Sequence, residues 1–65
     1  MIKLTNVDII MDAQDKGRGV ALCETELKKN EVDSFVIDGR FYVITIISQV
    51  KNRIAFEVNR VIYLN

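Results

Sequence analysis

The chain has no histidine, no proline and a single cysteine, Cys23. Each absence removes a class of chemistry. Without histidine the commonest general base at neutral pH is gone. With one cysteine and no histidine there is neither an internal disulfide nor the donor set of a structural zinc site. A lone cysteine becomes a nucleophile only beside a cation or a helix end that lowers its pKa. Cys23 instead closes the apolar run Val20-Ala21-Leu22-Cys23 and reads as a small buried hydrophobe.

An excess of charge is also lacking. Nine basic and nine acidic residues give a net charge of zero, which argues against a general polyanion binder and against an acidic mimic of DNA. The longest apolar run, Phe41 to Ile47, is interrupted by Thr45 and falls far short of the roughly 20 residues a membrane helix needs. The N-terminus Met1-Ile2-Lys3-Leu4-Thr5 lacks the apolar stretch of a signal peptide. A cytoplasmic setting with no membrane partner is the expectation (the host cytoplasm for a phage-encoded chain).

Sixty-five residues make one domain, 1–65, near the lower limit for independent folding. About 60% of the unfolded surface is buried at this size, and such a core rarely supplies more than about 3–5 kcal/mol. Disulfides and zinc being excluded, oligomerisation is the remaining way to strengthen the fold.

What is present is β-structure. Ile2 to Met11 is a strand with a phase change: Ile2 and Leu4 share one face, Val7, Ile9 and Met11 the other. A bulge or sharp bend produces such a slip. Asp12 to Gly19 reads as a polar loop, and Val20 to Cys23 as a short second strand. Thr25 to Glu31 is the only stretch with helix-forming residues. It is too short for a helix without tertiary support, so one helical turn or an irregular loop is expected.

From Phe35 onward the pattern is a meander. Asp38-Gly39 between apolar runs is a strong hairpin signal, because a type I′ turn needs positive φ at both central residues. It sets Ile37 opposite Arg40 and Val36 opposite Phe41. A second reversal at Lys51-Asn52 sets Gln49 opposite Ile54 and Ile47 opposite Phe56. Following the pleat, the predicted core face collects Val36, Phe41, Val43, Ile47, Ile54, Phe56 and Val58, with Thr45 among them. The opposite face collects Phe35, Ile37, Tyr42, Ile44, Ile46 and Val50, with Ala55, Glu57, Asn59, Val61 and Tyr63. Both faces are largely apolar. A chain this short covers only one, so the second predicts a partner, first of all another copy of the chain.

Three constellations bear on chemistry. Asp8, Asp12 and Asp15 carry oxygen ligands for a hard cation but do not match the calcium-loop spacing, and they read as solvated loop acids. Gly17-Arg18-Gly19 lacks the Gly-Lys-Ser/Thr end of a phosphate-binding loop and reads as turn chemistry. Tyr42 and Tyr63, with Arg40, Arg53 and Arg60, could stack on bases and hold phosphates of a single strand. Tyrosine and arginine among aliphatics are equally what protein interfaces enrich, and zero net charge favours that reading. The predicted interface is Phe35, Ile37, Arg40, Tyr42, Ile44, Ile46, Arg53, Arg60 and Tyr63.

The segment Val36-Ile37-Asp38-Gly39-Arg40-Phe41-Tyr42 resembles the Asp-Gly hairpin of small β-barrel head–tail connector proteins of tailed phages. Val50-Lys51-Asn52 resembles the strand end of carbon-storage-regulator RNA-binding dimers. Both likenesses are hairpin grammar over a minor part of the chain. The 12–33 region has no counterpart in the RNA-binding family, so no residue roles follow.

The fold expected is mainly β: a small antiparallel meander or barrel, an SH3-like or similar roll of about 4–5 strands with at most one short helical turn. The function expected is a non-catalytic, cofactor-free oligomeric binding module. Its composition suits a phage or mobile-element accessory protein that binds or occludes a protein partner. The alternatives are a single-stranded RNA- or DNA-binding β-module and a nucleotide or small-molecule binder at a subunit boundary.

Overall fold

The computed structural model describes residues 1–64. Its strands are β1 (Thr5–Met11), β2 (Gly17–Leu22), β3 (Val32–Ile37), β4 (Arg40–Val50) and β5 (Arg53–Tyr63). They form one five-stranded sheet in the order β1-β2-β5-β4-β3, with every pairing antiparallel. The N-terminal hairpin thus docks on the last strand of a β3-β4-β5 meander. Ahead of β1, the Ile2 N–H donates to the Ser34 carbonyl at 2.9 Å, which curls the N-terminus onto β3 and makes the sheet a roll.

Turn chemistry follows local sequence. Asp38 and Gly39 have φ of 50° and 71°, both positive as a type I′ turn requires, and Ile37 faces Arg40 and Val36 faces Phe41. The Gly39 carbonyl also accepts from the Leu64 N–H at 2.7 Å. Gly39→Val places a β-branched side chain in the left-handed region, and it is expected to cost at least about 1 kcal/mol in denaturant titration. An unchanged midpoint would count against the turn. Lys51 supplies the positive φ, 55°, of the β4–β5 turn.

β1 contains the expected slip. Its register with β2 shifts between Thr5 and Asp8, and Asn6 adopts φ of 52°, a conformation asparagine tolerates better than most residues. Two further shifts lie between β4 and β5. Gln49 faces Ile54, as expected, but Ile46 and not Ile47 faces Phe56. Ile47 is the extra residue of a bulge, and Asn59 is the extra residue of another between Val43–Arg60 and Ile44–Val58. Each extra residue exchanges the two faces beyond it.

The core is therefore Phe35, Tyr42, Ile44, Ile46, Ile54, Phe56 and Val58 with Ala21, Cys23 and Leu27. Ile54, Phe56 and Val58 hold their expected places. Val36, Phe41, Val43 and Ile47 do not: Val36 and Ile47 are exposed, while Phe41 and Val43 are half-buried. Within the core Phe35 stacks on Tyr42 with centroids 5.1 Å apart, and meets Phe56 edge-on at 5.7 Å.

Small residues on β2 face large ones on β5. Gly17 is opposite Val58, Gly19 opposite Phe56 and Ala21 opposite Ile54. A Cβ on Gly19 would lie 2.5 Å from Phe56 Cζ. Gly17-Arg18-Gly19 is therefore strand, not the end of the loop: Gly19 makes room for the Phe56 ring, and Gly17 for the close approach of β1 at Ile10 and Met11.

Thr25 to Glu31 forms no helix. Gln49 gives its backbone other partners: Oε1 accepts from the Leu27 N–H at 2.7 Å, and Nε2 donates to the carbonyls of Thr25 at 3.0 Å and Cys23 at 3.4 Å. A tight turn follows, in which the Glu31 N–H donates to the Lys28 carbonyl at 3.0 Å and Asn30 has φ of 70°. Those bonds seat Leu27 in the core, and a nascent helix of this length has no packing face with which to compete.

Candidate functional site

The nine residues expected at an interface separate into distinct environments. Phe35, Tyr42, Ile44 and Ile46 are at most 5% exposed, so they are core and not contact surface. The bulge at Ile47 is the physical reason, since it exchanges the faces of β4 relative to β5. Ile37 is half-buried against the core. Arg40, Arg53, Arg60 and Tyr63 are exposed.

The exposed residues do not converge. Arg53 starts β5 and Tyr63 ends it, each residue advancing about 3.3 Å. Arg60 sits on the outer face opposite Val43. Arg40 and Tyr63 do meet: they are cross-strand partners, and the guanidinium lies 5.7 Å from the ring centroid, a cation–π contact. The Tyr63 hydroxyl also donates to Asp15 at 3.4 Å. That leaves one exposed tyrosine, already engaged on one face, where base stacking expected a pair.

The acidic loop is committed to its own backbone. Asp12 Oδ1 accepts from the Gln14 N–H at 2.8 Å and the Lys16 N–H at 3.0 Å, an arrangement typical of aspartate in turns. At the start of β3, the Lys28 N–H holds the Glu31 carboxyl below its ordinary range, while burial pushes the Asp33 carboxyl up. Cys23 is a buried free thiol whose N–H donates to the Asn52 carbonyl at 2.7 Å. No helix among the described residues is long and apolar enough to cross a membrane.

Three residues expected inside, Val36, Phe41 and Val43, lie instead with Val32 and Ile62 in an apolar stripe on the outer face of β3, β4 and β5. Val36, Phe41 and Ile62 are consecutive cross-strand neighbours. Val43 lies in the next outer row, between Ser34 and Arg60, and Val32 beyond it faces Thr45. Val32 is 63% exposed, Val36 44% and Ile62 39%. No run of residues marks this stripe in the sequence. It exists because bulges rotate apolar side chains to the outside. Comparison with protein-family models, curated proteins and solved structures finds no match to this chain.

Proposed function

We propose that the chain is a non-catalytic, self-associating module that binds a protein partner through the outer face of its meander. The observation that carries this reading is the cross-strand stripe Val36–Phe41–Ile62, extended by Val43 and Val32. Apolar side chains gathered on one exposed face, rimmed by polar ones such as Arg60 and Ser34, are the anatomy of a docking surface. The separation of Arg53 from Arg40, and the burial of Tyr42, weigh against a nucleic-acid track, as does the balanced charge. A short chain rich in isoleucine, asparagine and lysine, with no catalytic constellation, suits a phage or mobile-element accessory protein. Such proteins act by occluding a host protein or by building a particle.

Light scattering at micromolar concentration is expected to report at least a dimer. Titration with single-stranded RNA and DNA is expected to show no sub-micromolar binding at any moderate salt concentration. A strictly monomeric protein would remove self-association. Tight, salt-sensitive oligonucleotide binding that disappears in Arg53→Ala would replace the protein-binding reading with the nucleic-acid one.

A further inference from the structure

The two edges of the sheet, β1 and β3, are protected unequally. β3 carries Asp33, a half-buried carboxylate opposite the core residue Ile44, and an inward-pointing charge blunts an edge. Its Ser34 carbonyl is already taken by Ile2. Among the described residues β1 has β2 as its only neighbour in the sheet. Between Asp8 and Met11 it has no lysine, no proline and no register shift. Ile10, on its outer face, is 79% exposed, more than any other large apolar residue except Met1.

The backbone of β1 can be oriented from its neighbour. A Cβ on Gly17 would collide with the Ile10 carbonyl oxygen, and one on Gly19 would lie 2.8 Å from the Asp8 carbonyl oxygen. The Asp8 and Ile10 carbonyls therefore face β2. Since alternate residues of a strand turn their peptide groups to opposite sides, the N–H and C=O groups of Ile9 and Met11 face the open edge.

We infer that this edge pairs with β1 of a second copy, antiparallel across a two-fold axis, joining two five-stranded sheets into one. The inference rests on the proposal that the chain self-associates and names the contact through which it does so. An antiparallel pair of identical strands is self-complementary by construction, which is what an isologous interface requires. Register follows from charge. Centring on Asp8 opposes two aspartates, and centring on Ile10 opposes Asp8 to Asp12 twice; like charges directly opposite are unfavourable. Centring on Ile9 avoids both. It aligns the free N–H and C=O of Ile9 with those of its own copy, sets Val7 opposite Met11, and lays Asp8 beside the exposed Ile10. The outer stripe on the meander then stays free for a different protein.

The test compares single variants by sedimentation equilibrium and light scattering across a broad range of protein concentration. Ile9→Pro removes a donor that faces the open edge, leaves the β1–β2 ladder intact, and keeps a strand-edge position that proline tolerates. Ile10→Glu sets a carboxylate directly opposite Asp8 of the second copy, where like charges are unfavourable, and serves if the proline variant misfolds. Both are expected to raise the dissociation constant of the dimer at least tenfold while keeping the wild-type circular dichroism. Phe41→Lys is expected to leave the dimer intact. Wild-type dimerisation in Ile10→Glu and in folded Ile9→Pro overturns the edge contact. If Phe41→Lys alone then dissolves the dimer, self-association stands and its surface is the outer stripe. A wild-type protein that stays monomeric at every concentration removes self-association itself, and the edge contact with it.

Discussion

Phe56→Ala is expected to leave most of the protein unfolded at room temperature. Phe56 is fully buried at the middle of β5. It faces Ile46 across one strand boundary and Gly19 across the other, and its ring meets Phe35 edge-on. Truncating a buried phenylalanine costs about 3–5 kcal/mol, because lost transfer energy is joined by the cavity left behind. A core of this size supplies a net stability of the same order. Gly19 cannot fill the gap, since it has no side chain to move in. Urea titration followed by circular dichroism should therefore find no stable native baseline. A cooperative transition at the wild-type midpoint would mean that Phe56 is not at the centre of the core.

Most of the architecture was legible because it rests on local chemistry. Asp38-Gly39 dictates positive φ at consecutive positions, and the hairpin register follows. The slip in β1 is visible as a change of phase between Leu4 and Val7, which a bulge at Asn6 absorbs. The bulges at Ile47 and Asn59 were not legible in the same way. Val43 to Ile47 is apolar at every position but Thr45, so no change of phase can be seen when the faces exchange. A stretch apolar on both sides fits either register. Long-range packing then decides, and it places Tyr42, Ile44 and Ile46 inside with Phe56.

The candidate surface inherits the same ambiguity. Arg40, Arg53, Arg60 and Tyr63 are exposed as expected, because charge and a phenol hydroxyl report their own preference for water. Val36, Phe41 and Val43 carry no such label, and on the sheet only register distinguishes a core valine from a surface one. Gly17 and Gly19 were read as loop because glycine marks turns more often than strands. What explains them shows only in the folded sheet: Phe56, far along the chain, lies against Gly19, and the Ile10 carbonyl and Met11 of β1 lie against Gly17.

Gly19→Ala is expected to destabilise the fold by about 1–3 kcal/mol, the range for overpacking a filled core. At an ordinary strand position the sign would be opposite, since replacing glycine by alanine relieves roughly 0.5–1 kcal/mol of backbone entropy. Here the added Cβ would lie 2.5 Å from Phe56 Cζ, 2.8 Å from Phe56 Cε1 and 2.8 Å from the Asp8 carbonyl oxygen. Neither side can give way easily. The ring is fixed between Ile46 and Phe35, and the Asp8 carbonyl belongs to the β1–β2 ladder. The effect should also depend on the ring. In a Phe56→Leu background Cζ is absent, so adding Gly19→Ala should cost less there, with a coupling of about 0.5–3 kcal/mol, as for residues in direct contact. Thermal and urea unfolding of the four proteins in this cycle measures both quantities. Stabilisation by Gly19→Ala, or strict additivity with Phe56→Leu, would show that β2 does not place Gly19 against that ring.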